Sequence, residues 1–190
     1  MCDVLSIFDT NSIIGDAILS WKPYKNGDDI VSRFSSEEWH KIAFDIDSEE
    51  QLQKLFDSYP HKIRGFVLYE NATDNPVGFV YILKERDAFN TVSIHGGGWN
   101  NTMTSTLFHY RGMILMIESA LSRGVKVRTA CLITNERAYR FLRSIGFVKY
   151  RTTSDVIKMW INEKRLHNSK IYKHLYKKIM IRNSTSFLKM

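Results

Sequence analysis

The feature that most constrains the fold is an ordered succession in the second half of the chain. A helical stripe of Leu107, Tyr110, Ile114, Ile117 and Leu121 stops at Ser122-Arg123-Gly124, and a β-rich run, "VKVRTACLIT" (125–134), follows at once. Next comes "TNERAYRFLRSIGF" (134–147). It opens on an Asn, sets Ala138, Phe141, Leu142 and Ile145 on one helical face and Arg137, Arg140 and Arg143 largely on the other, and closes on Gly-Phe. "FVKYRT" (147–152) and "DVIKMWIN" (155–162) read as two further strands. Strands and helices that alternate in this way must share one layered core.

The first half supplies more of the sheet. "GFVLYE" (65–70), "VGFVYILKE" (77–85) and "NTVSIH" (90–95) read as three strands with short connections, which predicts an antiparallel meander. Before them, Trp39, Ile42, Ala43 and Ile46 fall on one helical face, as do Leu52, Leu55, Phe56 and Tyr59. The expected fold class is therefore α/β in the α+β sense: a mixed, mostly antiparallel twisted sheet flanked by helices. Residues 1–162 are read as the domain and 163–190 as an additional basic, amphipathic C-terminal helix.

Charge supports that division. The chain carries 27 basic and 20 acidic residues; 8 basic and 1 acidic lie between Glu163 and Met190, which leaves 19 of each in the body. A neutral body weakens a nucleic-acid-binding reading of the core, so nucleic acid is not the expected partner. In the tail, Ile171, Tyr172, Leu175 and Ile179 form an apolar stripe opposite Lys170, Lys173, Lys177 and Lys178. That pattern fits a helix docked on the domain, or a contact surface for RNA, membrane or another anionic partner. No apolar run reaches the roughly 18 residues of a membrane span. The start of the chain lacks a basic-then-apolar leader, and Cys2 and Cys131 sit in no metal or redox spacing, so a cytoplasmic protein without a bound metal is expected.

Asn135, Ala138 and Gly146-Phe147, following "SRGVKVRTACLIT" in this order of elements, resemble the GNAT superfamily of acyl-CoA-dependent N-acetyltransferases over roughly residues 60–162. The resemblance implies that the strands at 90–95 and 125–134 part into a cleft where the pantetheine arm of acetyl-CoA pairs like an added strand. It places the pyrophosphate at the N-terminus of the following helix. Asn135 and Ala138 would face the pantetheine or the thiol end, although Asn135 also reads as a plain helix cap. Two departures stand out. The two glycines of the family's phosphate loop are replaced by Leu107 and His109 in "TSTLFH" (104–109), so Thr104, Ser105 and Thr106 with His109 or Arg111 would have to hold the phosphates. A Tyr that many members place seven residues after the Asn, to protonate the thiolate, is Leu142.

"HGGGW" (95–99) matches an esterase oxyanion loop, yet no Gly-x-Ser-x-Gly elbow occurs anywhere in the chain. The run reads instead as a bulge at the end of a strand, where backbone N–H groups near Ile94, Gly96 and Gly97 could face a developing oxyanion. His95 is the expected base and Glu118 a weaker second candidate, while Cys131 reads as a small core residue. The expected reaction is acetyl transfer to a primary amine, either a small molecule or a protein N-terminus, by direct attack in a ternary complex. The rival readings are a catalytically silent GNAT-like domain that binds acyl-CoA or a protein, and an RNA- or ribosome-associated module using the tail. The oligomeric state is not legible.

Overall fold

The computed structural model describes residues 4–8, 14–25, 28–34, 48–86, 88–99 and 105–175. The chain divides into two compact units, Met1–Ala130 and Cys131–Met190.

The first unit holds a 3₁₀ turn (Val4–Phe8), β1 (Ile14–Gly15), β2 (Leu19–Pro23), α1 (Ile30–Phe34), α2 (Glu49–Ser58), β3 (Ile63–Glu70), β4 (Asn75–Lys84), β5 (Thr91–Trp99), α3 (Ser105–Leu121) and most of β6 (Lys126–Leu132). Its strands are ordered β1-β2-β3-β4-β5-β6. Every neighbouring pair is antiparallel except β5–β6, which is parallel. A parallel pair cannot be joined by a tight turn, and α3 lies in the crossover that joins this one.

Both sheet faces are covered, as the apolar strands require. On one face Ile63, Val67, Phe79 and Tyr81 meet Ile30 and Val31 of α1 and Leu52 of α2. Phe56 comes so close to β3 that a Cβ on Gly65 would stand 2.7 Å from its ring. On the other face Phe66, Leu68, Val80 and Ile82 are buried, and α3 packs through Met113, Ile114, Met116, Ile117 and Ala120. Gly112 allows that approach: a Cβ there would lie 2.5 Å from Leu68. The Trp21 indole N–H donates to the Gly112 carbonyl at 2.9 Å.

The second unit contains the end of β6, α4 (Glu136–Ile145), β7 (Val148–Thr152), β8 (Val156–Ile161) and α5 (Glu163–Asn168), followed by helical residues 170–175. Here β8 lies between β6 and β7 in the sheet order, and β7–β8 is an antiparallel hairpin. Gly146 ends α4 in the left-handed region, at φ 116°, with its N–H donating to Arg143 and that of Phe147 donating to Leu142. Leu166, Tyr172 and Leu175 are buried, so this part of the basic segment is packed and not simply solvated.

This is the mixed, mostly antiparallel fold flanked by helices that the element order implies. Two details differ from the sequence reading. β1 and β2 extend the sheet over residues to which the sequence reading assigned no element, because a five-residue strand containing Lys22 and Pro23 carries little period. The inward face of α3 is rotated, leaving Leu107 48% exposed. The stripe at Trp39–Ile46, Thr104 and Ile179 lie outside the described residues.

Candidate functional site

The parallel pair β5–β6 is short. Its register covers Thr91–Lys126, Val92–Val127 and Ser93–Arg128, although β5 runs on to Trp99. Two sets of contacts hold the closed end. Asn90, in the left-handed region at φ 52°, donates from Nδ2 to the Gly124 carbonyl at 2.8 Å and accepts from the Lys126 N–H at 2.9 Å. At the last rung the Ser93 hydroxyl donates to Glu85, and Arg128 Nη1 lies 3.7 Å from the same carboxylate. Beyond that rung, the edge of β5 from Ile94 onward is not registered with β6.

That edge is also where β5 changes its geometry. Val80 pairs with Gly96 but Phe79 pairs with Gly98, which leaves Gly97 as the extra residue of a β-bulge. Such a bulge re-aims the peptide groups around it. The glycine run is thus a bulge beside unpaired strand edge, which was one of the two readings open for it. Ile94 itself is buried on the α3 side.

His95 stands on the opposite face, in register with Tyr81 and stacked on it, with ring centroids 5.1 Å apart and planes 11° apart. Burial lowers its pKa to about 4, because the charged imidazolium loses more hydration than the neutral ring. A free imidazole titrates near 6.5, so the buried ring is much the weaker base. Burial likewise pushes the Tyr81 phenol up. Tyr81 is a part of the site that sequence reasoning missed; only the strand register could have revealed it. The Glu85–Ser93–Arg128 group was missed for the same reason.

The expected phosphate-holding residues fall at the start of α3. Ser105 and Thr106 open the helix, where the first backbone N–H groups have no intrahelical acceptor. His109 is half-buried. Arg111 is already engaged: its Nε donates to Asp16, whose other oxygen accepts from Ile18 N–H at 2.8 Å and Leu19 N–H at 3.0 Å. The pair fastens the β1–β2 turn to α3, which gives Arg111 a structural duty that the sequence did not show. Glu118 is half-buried on the same helix.

In the second unit Asn135 caps α4, its Oδ1 accepting from the Ala138 N–H at 2.9 Å. Leu142 is buried, so the position where a tyrosine was sought is a core position. Cys131 is buried and its thiol pKa is raised by burial, which makes it a poor nucleophile. Among the described residues, no cluster of three or more His, Cys, Asp or Glu side chains could hold a metal, and no helix is long and apolar enough to cross a membrane.

No family model and no curated protein matches the sequence. Solved structures do match the fold. Spermidine N-acetyltransferase from Vibrio cholerae, in complex with CoA and spermine, superposes with a TM-score of 0.61 at 16% identity, over 80% of this chain and 100% of that one. A chimera of that enzyme with hSSAT gives 0.63 at 16% identity, over 80% and 99%. FdhC, described as a nucleotide-linked sugar GNAT, gives 0.65 at 13% identity, over 87% and 98%. The chain therefore has the GNAT fold.

Proposed function

We propose that this protein is an N-acetyltransferase that moves an acetyl group from acetyl-CoA to a primary amine in a ternary complex. The observation that carries the reading is the parallel β5–β6 pair, which stops after Ser93–Arg128 and leaves an unregistered β5 edge with a bulge at Gly97. An edge of this kind fits an extended amide-bearing arm such as pantetheine, which would pair with it as a strand does. Ser105, Thr106 and His109, with Thr104 before them and Arg111 behind, would hold the phosphates at the start of α3. Asn135 and Ala138 are the remaining residues that this reading assigns to the cofactor.

Acetyl-CoA supplies an activated carbonyl and a thiol that leaves without an assigned acid. N–H groups near Ile94, Gly96 and Gly97 would face the oxygen as negative charge develops there. His95 would accept the proton of the attacking amine. An imidazole with a pKa of about 4 is neutral at pH 7 and always presents a lone pair. It is too weak to deprotonate a free ammonium ion, so it would act on an amine that arrives neutral and whose proton becomes acidic as the N–C bond forms. Acceptors to try first are polyamines, amino sugars and peptide N-termini, and the cytoplasm is the compartment this reading implies.

A catalytically silent GNAT-like domain that binds acyl-CoA or a protein partner is favoured by Leu142 at the tyrosine position, by Leu107 and His109 in place of the phosphate-loop glycines, and by the engagement of Arg111 with Asp16. Release of free thiol from acetyl-CoA in the presence of these amines separates the two. Transfer to at least one amine, reduced at least tenfold in His95→Ala, is the expected result. Saturable binding of acetyl-CoA with no thiol release from any amine class would establish the silent domain instead.

A further inference from the structure

The second unit contains an open groove of about 750 Å³ between the end of α4, the start of β7 and the α5 segment. Four cations line it: Arg143 from α4, Lys164 and Arg165 from α5, and Lys170 just after it. Ser144, Asn162, Asn168 and Ser169 add hydrogen-bonding groups, and no carboxylate is among the lining residues. The nearest in sequence is Glu163, which is exposed on α5 beside the groove. The four cationic residues are all exposed, whereas the floor is buried at Phe147.

The groove is a built feature and not a run of loose tail charges. Gly146 lies so near α5 that a Cβ there would stand 2.7 Å from the Arg165 carbonyl. Asn162 caps α5 by accepting from the Arg165 N–H at 3.0 Å, and the Arg165 guanidinium lies over the Trp160 ring, 5.2 Å from its centre. Ser169 is buried and its hydroxyl accepts from the Tyr172 N–H at 3.1 Å. By sequence the positive charge belongs to the tail alone; the fold adds Arg143 to it and aligns the four on one surface.

We propose that this groove binds the phosphodiester backbone of single-stranded nucleic acid without reading its bases. Four cations that line one groove without an intervening carboxylate suit successive phosphates, which bind by releasing condensed counterions. An open groove suits a chain that enters and leaves, more than an enclosed nucleotide. The only aromatic lining residue, Phe147, is buried and offers no stacking platform, so base selection is not expected. The inference is independent of the acetyltransferase reading.

Fluorescence anisotropy of a labelled 20-nucleotide oligouridylate, titrated with the full chain across a range of salt concentrations, tests it. Four phosphate contacts give a slope of log K against log salt of about −2.8. The variant Arg143→Ala/Lys164→Ala/Lys170→Ala keeps Arg165 on Trp160 and should retain its melting temperature. It should flatten the slope to about −0.7 and weaken binding at least about tenfold in 50 mM salt. A second variant, Lys177→Ala/Lys178→Ala/Arg182→Ala/Lys189→Ala, should keep a slope steeper than about −2. The proposal is overturned by absent or salt-independent binding, by equal binding of the groove variant, or by loss through the tail variant alone. Tighter binding to phosphatidylserine vesicles than to the oligonucleotide would also overturn it.

Discussion

Placing His95 against Tyr81 has a measurable cost in acid. The unfolded chain titrates this histidine near 6.5, the folded one near 4. Between those values the unfolded state binds a proton that the folded state refuses, so folding stability is complete above pH 6.5 and is lost as the pH falls through 4. A displacement of this size corresponds to a ceiling of about 3 kcal/mol, of which about 2 kcal/mol is already lost at pH 5. It is a ceiling because His95 as a whole residue is only half-buried. Replacing His95 by Phe keeps a flat ring on Tyr81 and removes the titration. Urea unfolding at pH 7.5 and at pH 5 gives the two stabilities for each protein, and other titrating groups cancel in the comparison. The wild type should lose about 2 kcal/mol more than His95→Phe over this interval. Equal losses would show that the ring is hydrated in the folded state, and the argument for a permanently neutral base would fall with it.

Three further substitutions probe the frame around the site. Gly112→Ala should destabilise by about 1–3 kcal/mol, since its Cβ would meet Leu68 at 2.5 Å and Trp21 at 3.2 Å, and thermal unfolding reads this directly. Asn135→Ala should remove about 1 kcal/mol of helix capping, measured by urea unfolding; a KM for acetyl-CoA raised beyond what that loss explains would support its contact with the cofactor. Glu85→Gln should change stability by less than about 1 kcal/mol, because its pairing with Arg128 is partly exposed. The same change should speed hydrogen exchange at Ser93 and Ile94, where the strands part.

Much of this architecture was legible because it is written in local signals. The stretch from Asn135 to Phe147 shows its cap, its apolar face and its left-handed glycine in one-letter code, and all three are present in α4. The meander was legible from short turns between apolar runs. The edge strands were not: β1 has two residues and depends on Asp16, whose Arg111 partner lies 95 positions away. The site divides along the same line. The glycine run of β5 could be read as a bulge, but which residue bulges depends on its register with β4. His95 was visible as a histidine at a strand end; the Tyr81 ring that buries it and the Glu85 carboxylate at the last rung are placed by strand pairing alone. The basic segment shows the converse error, in which composition located the charge but not the surface it forms with Arg143.

The central claim is that the parted β5–β6 strands receive an acyl-CoA. Isothermal titration calorimetry of the full chain with acetyl-CoA, and separately with desulfo-CoA, measures this without knowledge of the acceptor. The account requires one saturable site for each ligand in the micromolar range usual for enzyme substrates. No heat of binding from either ligand at near-millimolar concentration would contradict it.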